Sequence, residues 1–455
     1  MKDRIRIASG QGFWGDLLTA PQRQLENGPI DYMMLDYLAE VTMSILQKQK
    51  RKDAQSGYAK DFVELMEQIL PACVQKNIKI ITNGGGVNPV ACADAIVEKA
   101  RALGVGSLKI GVVLGDDILD RIEQLSMDGI ELRNMETGEE LKNVRSRLQS
   151  ANVYFGAAPI VEALKRGAQI VITGRTTDTG LTLAPMIYEF DWTSSDWNKL
   201  AAGTVAGHIL ECGGQSSGGN FCADWKSVPD LAHIGFPIAE AFPNGDVVIT
   251  KHENTGGLVS LQTVKEQLVY EIGNPKEYIT PDCIADFTSI QLEQIGKDRV
   301  RVSGVRGKPA TDQYKVSMSY LDGYTAFGTL TYSWPDAVEK ARTADKILKS
   351  RLDDLHLKFD EYRSELLGYN SSHGSIAEPP GNASEVVLRV GVRGDDYSSV
   401  ERFGKEIAPL ILTGPPSVTG FAGGRPKPSE VVSYWPSLMP KRAVTPSVIM
   451  RGLEK

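Results

Sequence analysis

The stretch that decides the fold is IKIITNGGGVNPVACADAIVEKARALG, residues 78–104. It starts with β-branched apolar residues, continues with Gly84, Gly85 and Gly86, and then takes on helical spacing. A strand that passes through a glycine-rich turn into a helix is typical of α/β proteins. Such a turn lets a ligand approach the backbone, and the free N–H groups at the helix start favour a carboxylate or a phosphate. The alternative is a tight turn without a ligand.

The same alternation of strand and helix continues on both sides of this stretch. Further apolar runs with strand character lie at residues 5–9, 32–38, 107–117 and 169–175. We therefore predict that residues 1–235 form an α/β domain with a largely parallel sheet flanked by helices. Residues 236–455 show period-two alternation with turn signals at Asn244–Gly245 and Asp322–Gly323. This pattern predicts an α+β domain rich in antiparallel strands.

Composition and charge exclude several classes of protein. The chain has 455 residues and a formal net charge of −7, whereas nucleic-acid binding needs a basic face. The sequence has no apolar run of about 18 residues that would predict a membrane span, and no apolar leader, so we expect a cytoplasmic protein without membrane contact. The five cysteines are scattered and are expected to be free thiols. We also expect a homo-oligomer.

Four polar turns are predicted to lie at one edge of the sheet. Ligands of doubly wound sheets bind at the carboxyl ends of the parallel strands. The turns at that edge are Gly10–Asp16, Asn83–Gly86, Gly115–Asp117 and Thr173–Gly180. The turn residues expected to contact a small-molecule substrate are Gly12, Asp16, Asn83, Gly84, Gly85, Gly86, Asp116, Arg175 and Thr177. Arg175 would hold a substrate carboxylate through two hydrogen bonds. Asp178 would either cap the next helix or transfer a proton.

The densest polar stretch is GTVAGHILECGGQSSGGNFCADW, residues 203–225. His208, Glu211 and Cys212 have the spacing i, i+3, i+4, which places them on one face of a helix. We predict that His208 and Glu211 are an acid/base pair and that Cys212 lines the site, where a lowered pKa would make it a nucleophile. The alternatives are a buried histidine, a structural ion pair and a small packing cysteine. Asn220 is predicted to contact substrate from the glycine-rich part.

Two more segments carry candidate binding residues. In KHENTGG, residues 251–257, Lys251 and Thr255 are predicted to bind an anion, with a solvated hairpin end as the alternative. TGPPSVTGFAGGRPKPSE, residues 413–430, is too long for a connector. It would be a binding loop that presents Arg425, or an interface between subunits. No spacing of His, Cys, Asp or Glu compels a metal site.

Several long, spaced segments are more specific together than any single motif. They are SGQGFWGD (9–16), TNGGGVNP (82–89), ITGRTTDTGLTLAP (172–185), AGHILECGGQSSGGNF (206–221), GFPIAEAFPNGDVVITKHENTGG (235–257), ADFTSIQLEQIGKDRVRVSGVRG (285–307) and LTGPPSVTGFAGGRPKP (412–428). On these segments the chain resembles the acyclic terpene utilisation (AtuA-like) family over nearly its whole length.

The resemblance implies a catabolic enzyme that acts on a branched carboxylate or acyl-CoA thioester by lyase or hydro-lyase chemistry. Acyl-CoA is then the expected substrate, and no cofactor is firmly implied. The resemblance also implies a small companion subunit, because family members often occur beside a small extra domain. Two alternatives remain open: an ester or thioester hydrolase with Cys212 as nucleophile, and a non-catalytic binding subunit that needs the companion chain.

Overall fold

The computed structural model describes residues 2–453. The chain forms two compact units, one made of Met1–Ser319 with Tyr434–Lys455 and the other of Tyr320–Ser433. The residues on both sides of the predicted boundary at 235/236 lie in the first unit. The reason is that strand Ile238–Ala241 pairs with the first strand, Ile5–Gln11, through backbone hydrogen bonds.

The helices and strands of the two units are numbered here in chain order. The helices are α1 (Ala20–Glu26), α2 (Glu40–Lys52), α3 (Lys60–Gln75), α4 (Pro89–Ala102), α5 (Ile122–Met127), α6 (Ala158–Lys165), α7 (Gly180–Phe190), α8 (Trp197–Leu210), α9 (Leu261–Val269), α10 (Ala337–Asp354), α11 (Tyr397–Ile407) and α12 (Leu410–Thr413). The strands are β1 (Ile5–Gln11), β2 (Tyr32–Leu35), β3 (Lys79–Thr82), β4 (Leu108–Leu114), β5 (Leu148–Val153), β6 (Ile170–Ile172), β7 (Ile238–Ala241), β8 (Val247–Thr250), β9 (Tyr278–Ile279), β10 (Ile284–Asp286), β11 (Gln291–Gly296), β12 (Arg299–Ser303), β13 (Arg306–Lys308), β14 (Gln313–Ser333), β15 (Glu361–Leu367), β16 (Glu385–Gly394), β17 (Val418–Gly420), β18 (Ser429–Pro440) and β19 (Ser447–Leu453).

A mixed sheet is the frame of the first unit. Within residues 2–453 it has ten strands in the order β11-β12-β8-β7-β1-β2-β3-β6-β4-β19. Its centre, β1-β2-β3-β6-β4, is parallel, and the strands outside it pair antiparallel. β2, β3 and β6 consist largely of buried apolar residues, as is typical of parallel strands with helices on both faces. This confirms the predicted α/β class with a largely parallel sheet.

One of the two predicted hairpin turns is confirmed and the other is wrong. β7 and β8 pair antiparallel around Asn244–Gly245, where the Phe242 N–H donates to Asp246 O at 3.0 Å. At Asp322–Gly323, by contrast, β14 runs on without a turn. Gly323 has φ +83°, and a Cβ there would lie 2.9 Å from the Gly394 carbonyl oxygen on β16. The glycine therefore admits a neighbouring strand rather than reversing the chain.

The second unit is an antiparallel sheet covered by helices. The sheet order is β15-β16-β14-β17, and α10 and α11 pack on β16. Val386, Leu388, Val390 and Val392 alternate along β16 and are buried in the core with apolar residues of both helices. This period-two pattern confirms the predicted antiparallel strands of the C-terminal half. Among the described residues, no helix combines the length and the apolar character that a membrane crossing requires.

Candidate functional site

The turns after the five central strands lie at one edge of the sheet. The parallel pairing of β1, β2, β3, β6 and β4 sends every carboxyl end to the same side, as predicted. The turns also touch one another. A Cβ on Gly85 would lie 2.6 Å from Thr173 O, and one on Gly12 would lie 2.6 Å from the Gly213 nitrogen. The edge is thus one packed arrangement of loops.

The glycine turn of the opening stretch is explained by this packing. Asn83 and the three glycines are all buried, and the Gly84 N–H donates to Thr82 Oγ1 at 2.9 Å. Gly85 lies against the backbone of Thr173, and Gly86 adopts φ +56°, where a side chain is strained. Asn88 does not cap α4; its Nδ2 donates to the carbonyl oxygens of residues 54 and 56, at 2.8 Å each. Ligand binding by this turn stays a prediction.

Asn83 instead holds a buried carboxyl group in place. Its Oδ1 accepts the Tyr37 N–H at 2.8 Å, and its Nδ2 donates to Asp36 Oδ1 at 2.6 Å. Asp36 directly follows β2 and is 4 % exposed. Burial, and then the negative charge of Asp178, raise the pKa of Asp36 well above its ordinary value, although Arg175 opposes the shift. These effects favour the protonated form of Asp36.

Arg175 is the buried cation at the centre of this edge, with only 2 % of its surface exposed. Its Nη1 and Nη2 donate to the two carboxylate oxygens of Asp178 at 3.1 and 3.4 Å, and Nη1 also donates to Leu38 O. The guanidinium carbon lies 4.3 Å from the centre of the Tyr154 ring. The two-point carboxylate contact that we predicted for a substrate is therefore made by Asp178 of the same chain.

Asp178 is partly open to solvent, with its side chain 31 % exposed. It does not cap α7, whose N-cap residue is Thr179. Burial raises the pKa of Asp178 to about 6, and the charges of Glu211 and Glu40 add to the shift, whereas Arg175 opposes it. Asp178 can therefore gain or lose a proton close to neutral pH.

Glu40 completes the group of charges around Arg175. The Tyr154 hydroxyl donates to Glu40 Oε1 at 2.6 Å, and Lys315 Nζ lies 3.7 Å from the same oxygen. Burial alone would raise the pKa of Glu40, but Arg175, Tyr154 and Lys315 lower it. Glu40 is therefore held ionised. We call the group formed with Glu211 the carboxylate–arginine cluster; its members are Asp36, Glu40, Arg175, Asp178 and Glu211.

His208 and Glu211 make the contact that their spacing predicts. His208 Nδ1 lies 2.8 Å from Glu211 Oε1, and Nε2 donates to Gln267 O at 3.0 Å. Because one ring nitrogen donates to a carbonyl and the other faces a carboxylate, the doubly protonated ring satisfies both. Burial alone would lower the pKa of His208, but Glu211 and the Gln267 carbonyl raise it. The buried histidine thus holds Glu211 in place as its counter-ion.

Cys212 follows this pair and contacts the turn after β1. Burial raises the pKa of the Cys212 thiol to about 12, and the charge of Glu211 adds to the shift. This shift runs against the lowered pKa that a nucleophilic cysteine needs. Asp16 Oδ2 accepts the Gly12 N–H at 2.8 Å and would also contact a Cβ on Gly213. Gly12 and Asp16 therefore support the turn that carries Cys212.

Asp116 positions the loop that carries Arg175. Its Oδ2 accepts the Arg175 N–H at 2.7 Å and the Asn152 Nδ2 at 3.0 Å. Gly174 passes so close that a side chain there would collide with the Asp116 carboxylate. Burial raises the pKa of Asp116 to about 7. Thr177, also buried, shares a hydrogen bond of 3.1 Å with the Thr179 hydroxyl.

Four predicted binding residues belong neither to the cluster nor to the turns after the central parallel strands. Lys251 and Thr255 contact each other, Lys251 Nζ donating to Thr255 O at 2.9 Å, and they line a separate cavity. Asn220 is exposed and adopts φ +53° in the glycine-rich loop. Arg425 is exposed in the second unit. Their roles in substrate binding stay predictions.

The sequence pattern does not single out two cluster residues, Asp36 and Glu40, or two tyrosines beside the site. Asp36 directly follows a buried strand, so the rule that selected Asp116 could have selected it too. Glu40 begins α2 and carries no such signal. Tyr154 and Tyr278 come next to Arg175 and His208 only through the fold; the Tyr278 ring centre lies 5.7 Å from that of His208.

The cluster is not built as a metal centre. Among residues 2–453, no group of three or more His, Cys, Asp or Glu side chains is arranged to hold a metal ion. Its carboxylates converge on a guanidinium instead.

The fold and the cluster define an α/β protein with titratable groups at the carboxyl edge of a parallel sheet, where such proteins bind their ligands. The chain belongs to the acyclic terpene utilisation family: the model described as "Acyclic terpene utilisation family protein AtuA" matches residues 5–450, nearly the whole chain. Membership suggests a role in acyclic terpene utilisation. Comparison with curated proteins and with solved structures found no match.

Proposed function

We propose that the carboxylate–arginine cluster is the active site of a catabolic enzyme that acts on a branched carboxylate or acyl-CoA thioester. The proposed reaction is a lyase or hydro-lyase step, which needs one group to take a proton and another to return it. The observation that carries the proposal is a buried arginine surrounded by carboxylates of different pKa at the carboxyl edge of the sheet. Family membership supports the substrate class.

Asp178 is the proposed proton-transfer group. It is partly exposed, and its pKa of about 6 allows both protonation states near neutral pH. Glu211 is proposed as the second acid/base group, held by the buried imidazolium of His208. Arg175 is proposed to tune and position Asp178, because its Nη1 and Nη2 groups already donate to the Asp178 carboxylate and Nη1 also to Leu38 O.

The alternatives make different predictions. A hydrolase with Cys212 as nucleophile is disfavoured by the pKa of about 12 that burial gives its thiol. A binding subunit that needs a small companion chain would bind acyl-CoA and turn nothing over alone. Binding without turnover by the purified chain would therefore favour the second alternative.

The proposal is tested by turnover of branched 3-hydroxyacyl-CoA and enoyl-CoA substrates. Asp178→Asn is expected to reduce kcat by about 10²–10⁴-fold, the contribution of a positioned proton-transfer group. Asp128→Asn is the matched control, because Asp128 is exposed and contacts only the end of α5. Near-normal turnover by Asp178→Asn, on a substrate that the wild type converts, would exclude Asp178.

The pH profile separates the two roles of Asp178. If Asp178 acts as a base, kcat/KM rises with pH through about 6, because the ionised form is the active one. If it acts as an acid, kcat/KM falls through the same range. A profile that is flat there would count against both roles.

A further inference from the structure

A polar cavity of about 630 Å³ in the first unit shares no lining residue with the carboxylate–arginine cluster. It lies beside β1, β7, β8 and β12 and includes the segment of Lys251 and Thr255. Its charged lining residues are Arg6, Glu240, Lys251, Glu253, Lys297, Asp298 and Arg299. Arg6 is five residues before the end of β1 at Gln11, roughly 16 Å along the strand. The cavity is therefore separate from the proposed active site.

One buried carboxylate in the cavity wall is shared by three arginines. Glu240 is 3 % exposed. Its carboxylate lies 2.7 Å from Arg299 Nη2, 3.5 Å from Arg6 Nε and 3.6 Å from Arg4 Nη1. Burial alone would raise the pKa of Glu240, but the three arginines, Arg299 first, lower it. Three cations around one anion leave two positive charges without a partner in this group.

The pKa of Arg6 reflects this surplus of positive charge. Burial lowers the pKa of Arg6, and repulsion from the other two arginines adds to the shift against the attraction of Glu240. Its buried Nε donates no hydrogen bond to any described residue. Asp31 is the other carboxylate near Arg6, and Lys2 pairs with it at 3.0 Å. The surplus is therefore not cancelled from that side.

The other charges of the cavity compensate one another. Lys251 is buried and lies 3.4 Å from Asp298 Oδ2. Lys297 and Glu253 are exposed at the rim and have opposite signs. The nearby His252 has a pKa lowered by burial and is therefore neutral. The residues that line the cavity therefore carry one positive charge in excess. Arg4, half-exposed beside Glu240, adds a second positive charge next to the wall.

We propose that this cavity binds the phosphate group of a small ligand, with Arg299 and Arg6 as its main contacts. A phosphate monoester carries nearly two negative charges at neutral pH, which matches the surplus, whereas a carboxylate carries one. Arginine presents several N–H groups in a fixed fork that suits phosphate oxygens. The volume lies in the range of small-molecule sites and admits a ligand of nucleotide size. This inference goes beyond the proposed function and does not depend on it.

The test is calorimetric titration of the full chain with four probes: AMP, inorganic phosphate, adenosine and acetate. We expect AMP and phosphate to bind and adenosine and acetate not to bind. Tighter binding of AMP than of phosphate identifies an organic phosphate as the ligand type, and equal binding identifies free phosphate. Adenosine binding as tightly as AMP, or no binding of AMP and phosphate at ~10 mM, where even weak specific sites are occupied, overturns the proposal.

Variants assign the binding to this cavity. Arg299→Gln is expected to weaken the binding of AMP at least about tenfold, because one charge-assisted hydrogen bond is lost. The control is Arg301→Gln on the same strand, since Arg301 pairs with Glu293 and does not line the cavity. Lys297→Gln, an exposed change at the rim that should not affect folding, is expected to weaken AMP by a smaller factor. Equal affinities for the Arg299→Gln and Arg301→Gln proteins, both folded by circular dichroism, would also overturn it.

Discussion

Asp116→Asn should make the protein less sensitive to alkaline pH. Asp116 is buried and uses one oxygen, Oδ2, to accept the Arg175 N–H and the Asn152 side chain. The carbonyl oxygen of asparagine can accept the same two hydrogen bonds, and the two side chains match in size. The substitution therefore removes the ionisation and keeps these two hydrogen bonds. Asp116 lies outside the proposed proton-transfer groups, so the experiment needs no substrate.

The magnitude follows from the pKa. Burial raises the pKa of Asp116 from 3.8 to about 7, so the folded state binds the proton more tightly than the unfolded state does. The stability of the wild type therefore falls as pH rises from about 4 to about 7, and at higher pH the full cost of the buried charge is present. At 1.36 kcal/mol per unit, that cost is about 4 kcal/mol. Roughly 2.5 kcal/mol of it develops between about pH 5 and pH 8.

The assay is urea unfolding of both proteins at these two pH values, followed by the fluorescence of the six tryptophans. Other titrating groups are common to the two proteins and cancel in the difference. We expect Asp116→Asn to gain about 2–3 kcal/mol on the wild type between the lower and the higher pH. Asp128→Asn, the exposed control, should follow the wild type. Parallel curves for Asp116→Asn and wild type would refute the assignment of a raised pKa to Asp116.

Three other substitutions or treatments test the packing of the carboxyl edge. Arg175→Ala should lower the free energy of unfolding, measured by urea denaturation, by about 3–5 kcal/mol, because it leaves Asp178 and its neighbours without their buried cation. A change below about 1 kcal/mol would mean that Arg175 is not a structural counter-ion. Gly85→Ala should cost ~1–3 kcal/mol, since its Cβ would lie 2.6 Å from Thr173 O, whereas Gly104→Ala meets no atom within 4 Å and tests the effect of a positive φ alone. Iodoacetamide at neutral pH should modify the exposed Cys222 first. Cys212 should react roughly 10³-fold more slowly than an ordinary thiol, because the pKa of the Cys212 thiol is about 12. Peptide mass spectrometry that finds Cys212 modified first would contradict this.

The alternation of strands and helices can be predicted from the sequence because it depends on residues that are close together in the chain. The apolar runs, the Asn244–Gly245 hairpin and the one-sided placement of polar turns follow from residues close in sequence. The prediction of a turn at Asp322–Gly323 is wrong because Gly323 packs against a strand 71 residues further along the chain, at Gly394. A local turn signal cannot be told from a glycine that admits a distant neighbour.

The candidate site was predictable in position and less so in the roles of its residues. His208 and Glu211 meet because helical spacing brings them together. Arg175 was assigned to a substrate because its internal partners depend on the fold: Leu38 belongs to the loop after β2, and Tyr154 follows β5. Likewise, the pattern of three glycines predicts a ligand site, although the contacts of these glycines are with the chain itself.

In the proposed enzyme, the pairing of Arg175 with Asp178 would link substrate binding to protonation. Arg175 is buried and its Nη1 and Nη2 groups contact Asp178, so a substrate carboxylate could make the same two-point contact only by displacing Asp178. Displacement costs least when Asp178 is protonated, and its pKa of about 6 keeps that form accessible near neutral pH. In the proposed enzyme, one proton on Asp178 would therefore serve twice: it frees the arginine for an incoming anion and is then in place for transfer to the substrate.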